Sequence, residues 1–122
     1  MRFMIFVKAT KTLETGALPG KELIEAMGKY NQELIAAGIM KDGGGLHPSS
    51  KGARITFSGN DRRVSMGPFS NTSELVSGYW LWNCKSLDEA ISWVKRAPNP
   101  MPENSGIEIR QLYEMEDFAQ AK

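Results

Sequence analysis

His47 is the only histidine in the 122-residue chain, and it stands in the run GGGLHPSSKG. Imidazole ordinarily changes charge near neutral pH, so a loop histidine suits proton transfer or the polar anchoring of a ligand. A histidine that braces its own loop or stands in solvent has the same sequence signature. Arg54 and Arg110 alternate with apolar neighbours in strand-like runs, as do Thr56 and Glu108. Two guanidinium groups on one polar face would hold a carboxylate or phosphate of a small anionic molecule. The same residues would also serve as a solvated rim or a structural ion pair, such as Glu108 with Arg54. The candidate ligand-binding residues are therefore His47, Arg54 and Arg110, with His47 the candidate catalytic group.

Other chemistries find less support. Ser49, Ser65 and Cys84 could act as nucleophiles, yet no base is implied beside any of them, and Cys84 lies in an apolar strand pattern as a small hydrophobe. One histidine and one cysteine without clustered partners match no metal-ligand spacing. DGGGLHPSS lacks the Gly-Lys-Ser/Thr end of a phosphate loop and precedes a strand, so no helix N-terminus receives an anion. No cofactor is expected. Lys51, Arg54, Arg62 and Arg63 make a modestly basic hairpin, but a net charge of +1 and the lack of interleaved aromatics argue against nucleic acid.

The length suits one domain with one core, expected over residues 1–113, followed by an acidic tail over 114–122. A lone cysteine cannot form an internal disulfide and fits a reducing, cytoplasmic setting. The apolar run near the N-terminus is too short for a signal peptide, and no stretch is long enough to span a bilayer.

Several elements must position these groups. Residues 3–7 read as a strand buried on both faces, and 11–20 as a connector. Leu23, Met27, Tyr30 and Leu34 recur at helical spacing over 19–37, with Ile24 and Ile35 widening the stripe and Gly38 as the stop. The composition of 41–52 predicts a loop, and ARITF with RRVSM predicts a hairpin. VSGYWLWNC is a strand with Tyr79 and Leu81 on one face and Trp80, Trp82 and Cys84 on the other. Ser86 and Glu89 form a capping-box pattern that opens a second helix, ended by Pro98. IEIRQLY is a last strand, beyond which Phe118 could anchor a fraying tail. Two helices cover only one face of a four-stranded antiparallel sheet, which leaves apolar side chains on the other. A homodimer, sheet against sheet with a ligand cleft between, resolves that excess.

In this order, GGGLHPS, RVSMGPF and SGYWLW resemble the YCII-related family, in particular its branch named for an Asp-Gly-Pro-Phe motif. The resemblance covers nearly the whole chain. It implies an α+β, ferredoxin-like antiparallel sheet with two helices on one face and an added hairpin, assembled as a dimeric α+β barrel. The family's role is mostly unassigned, between small-molecule enzyme and accessory protein. Its aspartate falls on Met66, whose thioether does not titrate, while Gly67, Pro68 and Phe69 are kept as a structural corner in which Phe69 plugs the core. The expected function is small-molecule binding or catalysis, between the sheets or beside the glycine-rich loop; alternatively, the chain is a non-catalytic dimeric regulatory or accessory module.

Overall fold

The computed structural model describes residues 1–70, 72–100 and 103–119. Its elements are β1 (Arg2–Lys8), α1 (Lys11–Glu14), α2 (Lys21–Ala36), β2 (Met40–Gly45), β3 (Ala53–Ser58), β4 (Asp61–Met66), β5 (Val76–Asn83), α3 (Leu87–Lys95), β6 (Ile107–Gln111) and α4 (Met115–Ala119). Four strands form one antiparallel sheet in the order β2-β5-β1-β6, with β3 and β4 as a separate hairpin. Without that hairpin the chain runs βαββαβ, the ferredoxin-like α+β arrangement.

Side-chain alternation divides the sheet into two faces. Phe3, Ile5 and Val7 of β1 and Trp80 and Trp82 of β5 point to one side, where Tyr30 and Leu34 of α2 and Ala90 of α3 join them in the core. The Trp80 ring meets Tyr30 edge-on at 5.9 Å and Trp82 at 5.6 Å. Trp82 is fully buried, and its indole N–H finds no partner among the described residues. Burial of its large apolar ring offsets that polar cost. On the other side Met4, Phe6, Tyr79 and Leu81 are only half-buried.

Local chemistry sets the helix ends. Gly38 takes φ +74°, and Ile39 N–H donates to the Leu34 carbonyl at 2.9 Å, closing α2 with a left-handed cap. At α3, Glu89 N–H donates to Ser86 Oγ at 3.1 Å, while Lys85 N–H donates to Glu89 Oε1 at 3.0 Å. The glutamate thus reaches one residue beyond the cap.

Several expectations need correction. Residues 41–52 are not a single loop, because β2 runs through the glycines and supplies the fourth sheet strand, as backbone pairing to β5 requires no side chains. The hairpin strands consequently lie outside the sheet. The 11–20 connector contains α1. Ile24 and Ile35 do not widen the buried stripe; they are 56% and 60% exposed, and Ile24 borders the hollow beside α2. Phe69 is half-buried and outside the core cluster, its ring covered by the Arg54 guanidinium at 4.0 Å. Glu108 pairs with Arg110 at 3.3 Å and Lys8 at 3.6 Å, and not with Arg54. The C-terminal segment forms α4, where Phe118 stacks 5.1 Å from Tyr113 and Arg2 grips Glu114.

Candidate functional site

Gly43, Gly44 and Gly45 lie opposite Trp80, Tyr79 and Gly78 at the sheet's β2 edge. With no side chains there, α2 and the strand leave a hollow of about 460 Å³ between them. Its walls include Leu23, Met27, Met40 and Trp80, and the Asn31 amide supplies a polar group. Asn31 Oδ1 accepts the Trp80 indole N–H at 2.9 Å, which fixes the orientation of both. A Cβ on Gly43 would press on Trp80 Cδ1 at 2.9 Å, so this position must stay bare. Gly45 and Gly28 also line the hollow, and a Cβ on either would meet nothing within 4 Å.

A second hollow of about 330 Å³ shares Leu13, Pro19, Gly45 and Ser77 with the first and adds Glu14 and His47. The two adjoin through these shared residues, an apolar chamber beside a more polar mouth. His47 is exposed at that mouth. The segment carrying it is fastened two residues later: Ser49 N–H donates to Glu14 Oε2 at 2.9 Å and the Ser49 hydroxyl donates to Glu14 Oε1. Phe69 N–H donates to Ser49 Oγ at 2.9 Å, and Gly67 N–H to the Gly52 carbonyl at 2.9 Å. A Cβ on Gly67 would overlap the Ser49 carbonyl. The Gly-Pro-Phe corner thus seats directly on the loop that follows His47.

His47 borders the second hollow, and neither Arg54 nor Arg110 lines either one. Arg54 covers Phe69, and Arg110 lies beside Glu108 on β6, the sheet edge opposite β2. Ser65 is exposed on the hairpin. Cys84 is buried, and burial pushes its thiol pKa up, away from nucleophilic thiolate. Among the described residues no three His, Cys, Asp or Glu side chains gather as a metal site, and no helix is long and apolar enough to cross a membrane. Glu14, Asn31 and Gly28 were not singled out by sequence. Glu14 offered only the signal of Thr10 capping a short turn.

The family model for the YCII-related domain matches residues 1–116. The chain belongs to the YCII-related family. An uncharacterised protein of Rhizobium meliloti is 27% identical over 92 residues, covering 75% of this chain and 74% of its own. Among solved structures, 5-chloro-2-hydroxyhydroquinone dehydrochlorinase of Burkholderia phenoliruptrix, in complex with 2,5-dihydroxybenzoquinone, superposes with a TM-score of 0.55. That likeness covers 96% of this chain and 98% of the other at 14% identity, a shared fold. Met66, at the end of β4 opposite Ala53, is 72% exposed and lines neither hollow.

Proposed function

We propose that this YCII-related protein binds a small, mostly apolar molecule in the chamber between α2 and the glycine edge of β2, as a cytoplasmic homodimer whose open sheet faces pair. The observation that carries the binding reading is the open space at Gly28 and Gly45. Gly28 sits mid-helix, where glycine costs about 1 kcal/mol relative to alanine, yet no neighbour demands its smallness. A chamber of about 460 Å³ falls in the range of small-molecule sites. The dehydrochlorinase structure contains 2,5-dihydroxybenzoquinone, and a flat oxygenated ring of that kind would match both apolar walls and a polar mouth.

His47 is the residue that anchors the ligand or moves its proton at the mouth. Arg54 and Arg110 orient an anionic group only across the dimer, where Arg110 borders the space between facing sheets. The half-buried Met4, Phe6, Tyr79 and Leu81 support that pairing. The Gly67-Pro68-Phe69 corner supports placement in the Asp-Gly-Pro-Phe branch, with 1–113 as the domain and 114–122 as its appendage. A second reading, a non-catalytic regulatory or accessory dimer, is favoured by Met66, which leaves the family's acid position without an acid.

Calorimetric titration with a panel of hydroquinones and benzoquinones tests the reading. Binding is expected for wild type and lost in Gly28→Leu, which fills the chamber. His47→Ala that binds but no longer converts the ligand would mark an enzyme; binding with no conversion by wild type would favour the module. Affinity indifferent to Gly28→Leu would refute the site.

A further inference from the structure

We propose that the β3–β4 hairpin is a clasp that docks its apolar face on the C-terminal segment around α4 of a second copy of this chain, reciprocally across the dimer. This rests on the homodimer reading above and names surfaces outside the facing sheets.

The register puts Ala53, Ile55 and Phe57 on the same face as Val64 and Met66. The four large residues of this face are 58–72% exposed. A two-stranded hairpin is marginal in water without packing on something further, and this one presents its apolar face to solvent. The C-terminal segment has the matching defect: Tyr113, Met115 and Phe118 are 58–81% exposed. Two such patches on one small chain call for a cover.

Charge identifies the cover as another copy. On the hairpin's apolar face the register places Arg62 opposite Phe57, while Arg54 and Arg63 point to the other face; on the C-terminal segment Arg2 holds Glu114, which leaves Glu116 and Asp117 as the acids beside the apolar patch. Arg62 lies over the Phe57 ring at 4.6 Å, so a positive rim borders the apolar face. An apolar patch bordered by Arg62 and another bordered by Glu116 and Asp117 complement each other.

Topology lets them meet. β2 ends at Gly45 beside Gly78, which pairs with Val7, so the hairpin departs at the β2 edge near the C-terminal end of β1. β6 ends at Gln111 beside Phe3, and Leu112 N–H donates to the Arg2 carbonyl, so the C-terminal segment departs at the β6 edge near the N-terminal end of β1. The two therefore occupy opposite corners of the sheet. A two-fold axis lying between facing sheets, perpendicular to that diagonal, carries each hairpin over its partner's C-terminal segment.

Sedimentation of the full chain at micromolar concentration, joined to cross-linking, tests the clasp. Val64→Asp, at a solvent-exposed position that leaves the circular dichroism unchanged, is expected to weaken dimerisation by about tenfold or more. Arg62→Glu should weaken it as well, and adding Glu116→Lys with Asp117→Lys should restore it. Mixing Val64→Cys with Phe118→Cys chains should give disulfide-linked heterodimers on oxidation. A dimer untouched by Val64→Asp would overturn the clasp and leave sheet pairing standing, whereas a monomeric wild type would overturn both. Weakening by Val64→Asp without the mixed disulfide would place the hairpin on another surface and also refute the clasp.

Discussion

The four-stranded sheet and the β3–β4 hairpin have the same local pattern, antiparallel strands with an apolar face, and opposite fates. In the sheet, α2 and α3 cover the face that bears Phe3, Ile5, Trp80 and Trp82. In the hairpin Ile55, Phe57, Val64 and Met66 stay largely exposed, with only the Arg62 guanidinium over the Phe57 ring among the described residues. Alternation therefore says that a face will be buried and is silent on whose surface buries it. The sheet closes its core within one chain and gives stability; the hairpin leaves an apolar face open, the face that the proposed clasp uses. Between them lies the His47 segment, fastened to α1 and to the Gly-Pro-Phe corner.

Core truncation should separate the two regions most sharply. Trp82→Ala is expected to cost about 3–5 kcal/mol, while Phe57→Ser should change the unfolding free energy of the isolated chain by no more than about 0.5 kcal/mol. Equal costs in denaturant titration would erase the distinction. At the junction, Gly67→Ala drives a methyl into the Ser49 carbonyl and should lower stability by about 1–3 kcal/mol, with broadened His47 resonances by NMR. Gly28→Ala should move the other way, raising stability by about 1 kcal/mol, because the methyl enters empty space.

The smallest effect concerns pH. Hydrogen bonding to Arg2 holds the Glu114 carboxyl below the ordinary carboxylate range. A lowered folded-state value contributes stability above the unfolded value and loses it as pH falls through the folded one. Both partners are accessible to solvent, so the effect on global unfolding should be slight. Contacts between Tyr113 and Phe118, followed by nuclear Overhauser effects, should persist at mildly acidic pH and weaken only as pH falls below the ordinary glutamate range.

Much of the sheet was legible because its residues alternate. Tyr79, Trp80, Leu81 and Trp82 sort onto the faces expected of them, and Gly38 and Ser86 mark helix ends through their own chemistry. β2 was not legible: KDGGG has no side-chain period, and only its backbone pairing with β5 makes it a strand. His47 could be found as the chain's only imidazole. The bonds that hold its segment could not, since Glu14 and Ser49 stand 35 residues apart and Ser49 and Phe69 stand 20 apart. Gly28 reads as an ordinary helix position until the opposite wall of the chamber is known.

The indole N–H resonance of Trp80 offers the most direct test of small-molecule binding. This ring lines the chamber and bonds to Asn31, whereas Trp82, buried in the core and outside both hollows, serves as an internal control. Titration with 2,5-dihydroxybenzoquinone or a related hydroquinone should shift the Trp80 signal saturably, leave Trp82 nearly still, and lose its effect in Gly28→Leu. Saturable shifts elsewhere in the protein, with Trp80 unmoved, would contradict the chamber as the binding site.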